Sequence, residues 1–189
     1  LIYGLGYRVA DESAKLAYEL ENFETNIGIA YNLTSDIYHK ITLSYDIKDY
    51  AITDYSLVSN NVLASEGTNA NFYLNNTLRS NFLDSNFRPT KGTYYSINNK
   101  ISPITNSTNG ILKNIILYKK YISLKRNIFS VQTKLGNVSS LQNEEILNDE
   151  KFSLGGRWLR GFDVYGIGPR NSRSSFVGGN NIIVSKFDY

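Results

Sequence analysis

In IYHKITLSYDI, residues 37–47, every second side chain is large and mostly apolar: Ile37, His39, Ile41, Leu43, Tyr45 and Ile47. Lys40, Thr42, Ser44 and Asp46 lie between them. Successive side chains of an extended chain point to opposite faces, so this segment has one apolar and one polar face. A helix repeats every 3.6 residues and cannot produce that separation. The same alternation places Ile27, Ile29, Tyr31 and Leu33 together in NIGIAYNL. It also groups Phe72, Leu74 and Leu78 in NFYLNNTLR, and Phe129, Val131 and Leu135 in NIFSVQTKLG. The pattern predicts about eight strands, over roughly 1–9, 22–33, 36–49, 68–80, 91–102, 111–122, 127–137 and 180–189. ILKNIILYKKYISL alternates poorly but is placed among the strands. SLVSNNVLASEG has room for one turn of helix inside a loop. Fifteen Tyr and nine Phe against three Pro suit strands joined by Asn- and Gly-rich turns.

The connections alternate in length. NLTSD and ISLKRN are short, and SNFLDSNFRPTKG is a compact turn. The spans 10–21, 50–67, 103–110 and 138–179 are long. Short turns at one end and long loops at the other is the arrangement of outer-membrane barrels. A soluble β-sandwich binding module, with Greek-key connections, is the alternative; a soluble lipocalin-like barrel is another. The expected fold is therefore an all-β antiparallel meander forming part of a transmembrane β-barrel. No apolar run approaches the roughly 18 residues of a spanning helix, which excludes helical spans and leaves strands open. There is no Met and the chain opens at Leu1 inside an expected strand without a signal peptide, as an internal fragment would.

Several function classes drop out. With no Cys and a single histidine, His39, the usual nucleophile–base pairs and zinc sites are missing. No catalytic residue, metal site or cofactor is expected, and the chain is not expected to be an enzyme. His39 reads as an interfacial ring near a short turn. GLGYR and GIGPR lack the Gly-Lys-Ser/Thr continuation of a phosphate loop, which argues against a nucleotide site. A net charge of +3 is too small to indicate nucleic acid. Lys119, Lys120, Lys125 and Arg126 surround one short turn; they read as solvated, snorkelling side chains or as contacts to anionic head groups.

The stretch FSLGGRWLRGFDVYGIGPRNSRSSFVGGN, residues 152–180, carries more information. Gly155–Gly156, Leu159–Arg160–Gly161–Phe162, Ile167–Gly168–Pro169 and Gly178–Gly179 stand in a fixed order. A second stretch, LRSNFLDSNFRPTKGTYYSI, holds Pro89, Thr90 and Gly92. Together they resemble the BamA family of outer-membrane assembly barrels. In that family the first set marks one long extracellular loop and the second a periplasmic turn. Leucine stands at 159 where valine is commoner. The resemblance covers roughly 70–189 well and 1–69 more weakly.

The resemblance implies that 1–189 is part of an outer-membrane barrel, that loop 138–179 folds into its lumen, and that further strands precede Leu1 and follow Tyr189. The resemblance within 1–189 is to the family's barrel and does not extend to its POTRA domains. It implies a place in the bacterial outer membrane, with surface-antigen character, and a function in folding and inserting other β-barrel proteins. The implied partners are outer-membrane lipid, unfolded outer-membrane protein clients and assembly-complex lipoproteins. A two-partner secretion pore shares the RGF loop and is the alternative function. In the loop, Gly155, Gly156, Gly161, Gly166 and Gly168 permit sharp bends and Pro169 stiffens the return. Arg160 is expected to pair with an inward carboxylate, with Phe162 as an apolar wedge beside it; the family's acidic partners belong to later strands. An exposed, hydrated run of Arg157, Arg160, Arg170 and Arg173 is the other reading. In the full-length protein, Arg160→Ala is expected to impair assembly more than Arg170→Ala or Arg173→Ala, and Arg160→Lys to restore only part of the loss. Protease protection of the loop and heat-modifiable gel mobility check this; equal behaviour of the three alanine variants rejects it.

Overall fold

The computed structural model describes residues 1–11, 16–103, 110–142, 145–172 and 175–189. Eight strands follow one another: β1 (Ile2–Asp11), β2 (Tyr18–Asn32), β3 (Ile37–Ile52), β4 (Gly67–Asn81), β5 (Gly92–Ile101), β6 (Ile111–Leu124), β7 (Asn127–Ser140) and β8 (Asn181–Asp188). One helical turn, α1 (Asn60–Leu63), lies in the β3–β4 loop. Each strand pairs antiparallel with the next in a single sheet, in the order β1 to β8. The sheet is not closed: β1 and β8 are its two edges.

The register carries the alternation across the sheet. Tyr3, Ile27, Leu43, Leu74 and Ile101 stand side by side on five neighbouring strands. They belong to the apolar face, where Leu43 is 50% and Leu74 47% exposed. The opposite face carries Thr42, Ser44, Asp46 and Lys48 of β3, all buried. The face whose apolar side chains lie open is thus the outer one, and the polar face is covered. That is the reverse of a water-soluble sheet.

All eight expected strands are present, ILKNIILYKKYISL among them as β6. β7 ends at Ser140 rather than about 137, and the long-loop ends of β2 and β3 run to Tyr18 and Ile52 rather than to about 22 and 49. Here the phase reverses. Tyr18, Leu20 and Tyr50 are buried on the inner face, while Glu19 is exposed. Glu21 stands opposite Asp49 on the outer parity. The backbone continues as strand while the apolar side changes faces, so alternation read with one phase stops short. From Ile37 to Ile47, ten steps of about 3.3 Å at a tilt of about 40° span roughly 25 Å, the height of a barrel's lipid-facing band.

Two apolar clusters sit on the inner face. Leu16, Ala17, Tyr18, Leu20, Tyr50, Val58, Val62 and Phe176 form one. Tyr73, Ile111, Val138, Ile146, Phe152 and Ile182 form the other. Each receives a phenylalanine from the loop between β7 and β8. Arg at position 43 puts a charge in the middle of the apolar face, and Leu43→Arg is expected to cost about 2–4 kcal/mol. Denaturant titration of the folded protein in bilayers measures it; a cost equal to that of Thr42→Arg on the inner face would mean the faces are misassigned.

Candidate functional site: a loop clamped to the polar face

The β7–β8 loop returns across the inner face and is held by charge. Lys48 on β3, Lys100 on β5 and Lys113 on β6 project from the polar face toward one acidic pair, Asp149 and Glu150. Asp149 Oδ2 lies 2.5 Å from the Lys48 ammonium. Glu150 Oε1 accepts from Lys100 Nζ at 2.7 Å, from Lys48 Nζ at 3.2 Å and from the Tyr73 hydroxyl at 3.3 Å. Glu150 Oε2 is 3.5 Å from Lys113 Nζ. Lys100 Nζ also stands 3.6 Å from the centre of the Tyr73 ring. The side chains of Lys48 and Glu150 are only 6% and 7% exposed, so the pair is a buried one.

Local chain geometry delivers the carboxylates. Residues 147–151 form a tight turn, with Glu150 N donating to Leu147 O at 3.1 Å and Lys151 N to Asn148 O at 3.2 Å. Asn148 ties the turn to the β3–β4 loop, donating to Ser59 Oγ at 2.9 Å. Burial by itself raises the pKa of Glu150, but the ammonium groups of Lys48, Lys100 and Lys113 outweigh it and hold the carboxyl well below its usual range.

On either side of this cluster a phenylalanine pins the loop. Phe152 packs against Gly136 of β7, where a Cβ would come within 2.6 Å of its ring. Phe176 packs against Gly168, where a Cβ would meet its ring at 2.6 Å. The loop backbone closes on itself between the pins. Phe152 and Gly179 exchange two hydrogen bonds of 2.9 Å. Leu154 and Ile167 pair in the same way, and Val177 N donates to Pro169 O.

The motif residues thus lie in two bends. Gly155 approaches so closely that a Cβ would be 1.6 Å from Asp163 O. Gly161 has φ +87°, the left-handed conformation that the third residue of the 159–162 turn adopts, and Phe162 N donates to Leu159 O. Gly156 N donates to Phe162 O at 2.8 Å, Gly166 N to Asp163 O at 2.8 Å, and Gly178 has φ +77°. Leu159 is half-buried, whereas Arg160 and Phe162 are exposed at the tip. Among the described residues no ion pair holds Arg160. Arg173 lies outside the described residues.

Pro89, Thr90 and Gly92 are far from the loop, in the β4–β5 turn. Asp84 organises that turn, accepting from Thr90 N, Thr90 Oγ1 and Lys91 N. These bonds hold its carboxyl down at about 2. Gly92 has φ +112° and passes so close to Phe82 O that a Cβ would lie 2.1 Å from it. Asp84, Lys48, Tyr73, Lys100, Lys113, Asp149 and Glu150 were not singled out by sequence reading. The expected anchor was a carboxylate meeting a loop arginine, and the clamp has the opposite polarity, with the lysines on the wall and the carboxylates in the loop. A signal existed: lysine at inner-parity positions of β3, β5 and β6, and two adjacent carboxylates in the loop.

A polar cleft of about 330 Å³ lies beside the clamp, lined among others by Glu24, Lys40, Asp46 and Lys100. An antiparallel sheet with an open apolar outer face, a charged inner face and a loop laid across it is a section of a transmembrane β-barrel. The crystal structure of BamA from Haemophilus ducreyi lacking POTRA domains 1–3 has that fold, with a TM-score of 0.81 over 98% of this chain at 18% identity. The alignment spans 40% of that structure's chain. The model of the Omp85 superfamily domain matches residues 1–189, and the chain belongs to that superfamily, a family of outer-membrane barrels of assembly and secretion.

Glu150→Gln leaves Lys100 and Lys113 without their carboxylate. Breaking a buried pair costs about 3–5 kcal/mol, and the loop is expected to become protease-sensitive while the sheet stays folded. A depressed carboxylate stabilises the docked loop fully above pH 4.5 and loses that contribution as pH falls below it. Protection of the loop should therefore fade under acid in the wild type and show no such step in Glu150→Gln. Identical proteolysis of the two proteins at pH 7 would remove the clamp.

Proposed function

We infer that the chain is the central wall and the lumenal loop of a bacterial outer-membrane protein that folds and inserts other β-barrel proteins. Loop 138–179 is extracellular in connection and lumenal in position. The observation that carries the reading is the loop fastened by its own acidic turn to the polar wall, with the GG, LRGF, IGP and GG residues shaping its bends. The likeness to the BamA structure supports it. Insertion needs no covalent chemistry. Its barrier is the exposure of unpaired peptide groups to hydrocarbon, and a barrel lowers it by offering strand edges and a perturbed bilayer. Its partners on this reading are outer-membrane lipid, unfolded barrel clients and assembly-complex lipoproteins.

The test uses the full-length protein in its own host. Exchanging the wild-type copy for Glu150→Gln should lower the folded amounts of many outer-membrane barrels together. Loss of one secreted protein, with the barrels unchanged, would assign the chain to two-partner secretion instead.

A further inference from the structure

Polar side chains interrupt the outer face at Thr25 and at the hydrogen-bonded pair Thr133–Ser185, and one set of them forms a file across five strands. Asn76, Asn99, Asn114, Asn137 and Asn181 stand directly opposite one another on β4 to β8. Asn76 Nδ2 donates to Asn99 Oδ1 at 3.2 Å, Asn99 Nδ2 to Asn114 Oδ1 at 2.7 Å, and Asn137 Nδ2 to Asn181 Oδ1 at 2.8 Å. On the other side Asn76 Oδ1 lies 2.7 Å from His39 Nε2, and His39 Nδ1 lies 2.7 Å from the Tyr31 hydroxyl. An amide oxygen only accepts, so Nε2 carries a proton and donates; with the ring proton on that nitrogen, Nδ1 accepts from the Tyr31 hydroxyl. The bonds from β2 to β6 and the one from β7 to β8 then point the same way, while Asn114 and Asn137 are aligned by register without a bond between their amides.

The file is one residue wide. Ile41, Leu74, Ile101 and Leu112 flank it on the long-loop side; Leu78, Ile97, Ile116 and Leu135 flank it on the other. It starts one residue from the short-turn end of β2 and finishes at the first residue of β8, at the long-loop end. Six interstrand steps of about 4.8 Å, at a tilt of about 40°, climb roughly 20 Å of an apolar band about 25 Å tall. Each amide has two N–H groups and two lone pairs; Asn76 and Asn99 use one of each along the file and Asn114 only one lone pair, so at least half the capacity of each is left over. Unmet polar capacity is costly in hydrocarbon.

We propose that this asparagine file is a polar track that binds lipid head groups and their water along an oblique line across the bilayer, through the amides of Asn76, Asn99 and Asn114. Head groups are the occupant because both ends of the file open where head groups already lie. This rests on the reading of the apolar face as a membrane wall. A track of this kind thins the bilayer beside β4–β6, a region away from both sheet edges.

The test places a single-cysteine fluorophore at Leu74, Ile116 or Ile27 of the full-length protein, in phosphatidylethanolamine–phosphatidylglycerol bilayers; Ile27 lies on β2, two strands from Leu74 and four residues from Tyr31. Quenching is compared between phospholipid spin-labelled on the head group and phospholipid spin-labelled at mid-chain. The head-group-to-chain ratio is expected to be several-fold higher at Leu74 and Ile116 than at Ile27. It should fall toward the Ile27 value in Asn76→Leu/Asn99→Leu/Asn114→Leu, with folding followed by gel mobility; the comparison of sites in the wild type decides if that variant does not fold. Equal ratios at the three sites, with mid-chain quenching at each, leave the wall standing and overturn the track. Quenching at Ile27 alone means that protein covers the file, which also overturns it. No mid-chain quenching at any site removes the wall and the track with it.

Discussion

A peptide group in hydrocarbon has no water to bond, so within the apolar band the strand ladder is the only partner its N–H and C=O can have. Everything else in this sheet depends on that pairing. It forces consecutive strands into unbroken antiparallel register from β1 to β8. Once register is set, parity is set as well, because a slip of one residue would turn every lipid-compatible side chain inward. The row Tyr3, Ile27, Leu43, Leu74, Ile101 and the buried Thr42, Ser44, Asp46 and Lys48 are two sides of one constraint. At β1 and β8 the pairing stops, and their outer backbone groups have no strand partner in this sheet.

The loop answers a second problem. A charged inner face at low dielectric needs counter-charge, and lysines on β3, β5 and β6 receive it from Asp149 and Glu150. Removing one partner of such a cluster costs more than the cluster contributes, since the survivors stay buried. Geometry here adds specificity that charge lacks: Phe152 fits over Gly136, and Phe176 over Gly168. The loop is thus fixed between its two phenylalanines, while Arg160 and Phe162 stand exposed at the tip of the 159–162 turn. Base and tip differ accordingly: the base is buried and holds the loop, and the tip is exposed.

The alternation determined the element count, the antiparallel meander and the two faces, because period two is a local property of each strand. The glycines themselves, and not the alternation, marked the turn at Gly92 and the bends at Gly155, Gly156 and Gly161, where special backbone conformations leave glycine as a trace. The long-loop ends of β2 and β3 were not legible, since inner burial of Tyr18, Leu20 and Tyr50 reverses the phase there. Only the tertiary structure decided which charges meet. Lys48 and Glu150 are 102 residues apart, and no local pattern links a lysine on a strand to a carboxylate in a distant loop. The asparagine file is of the same kind: each Asn is unremarkable in its own strand, and the register that aligns five of them is a property of the whole sheet.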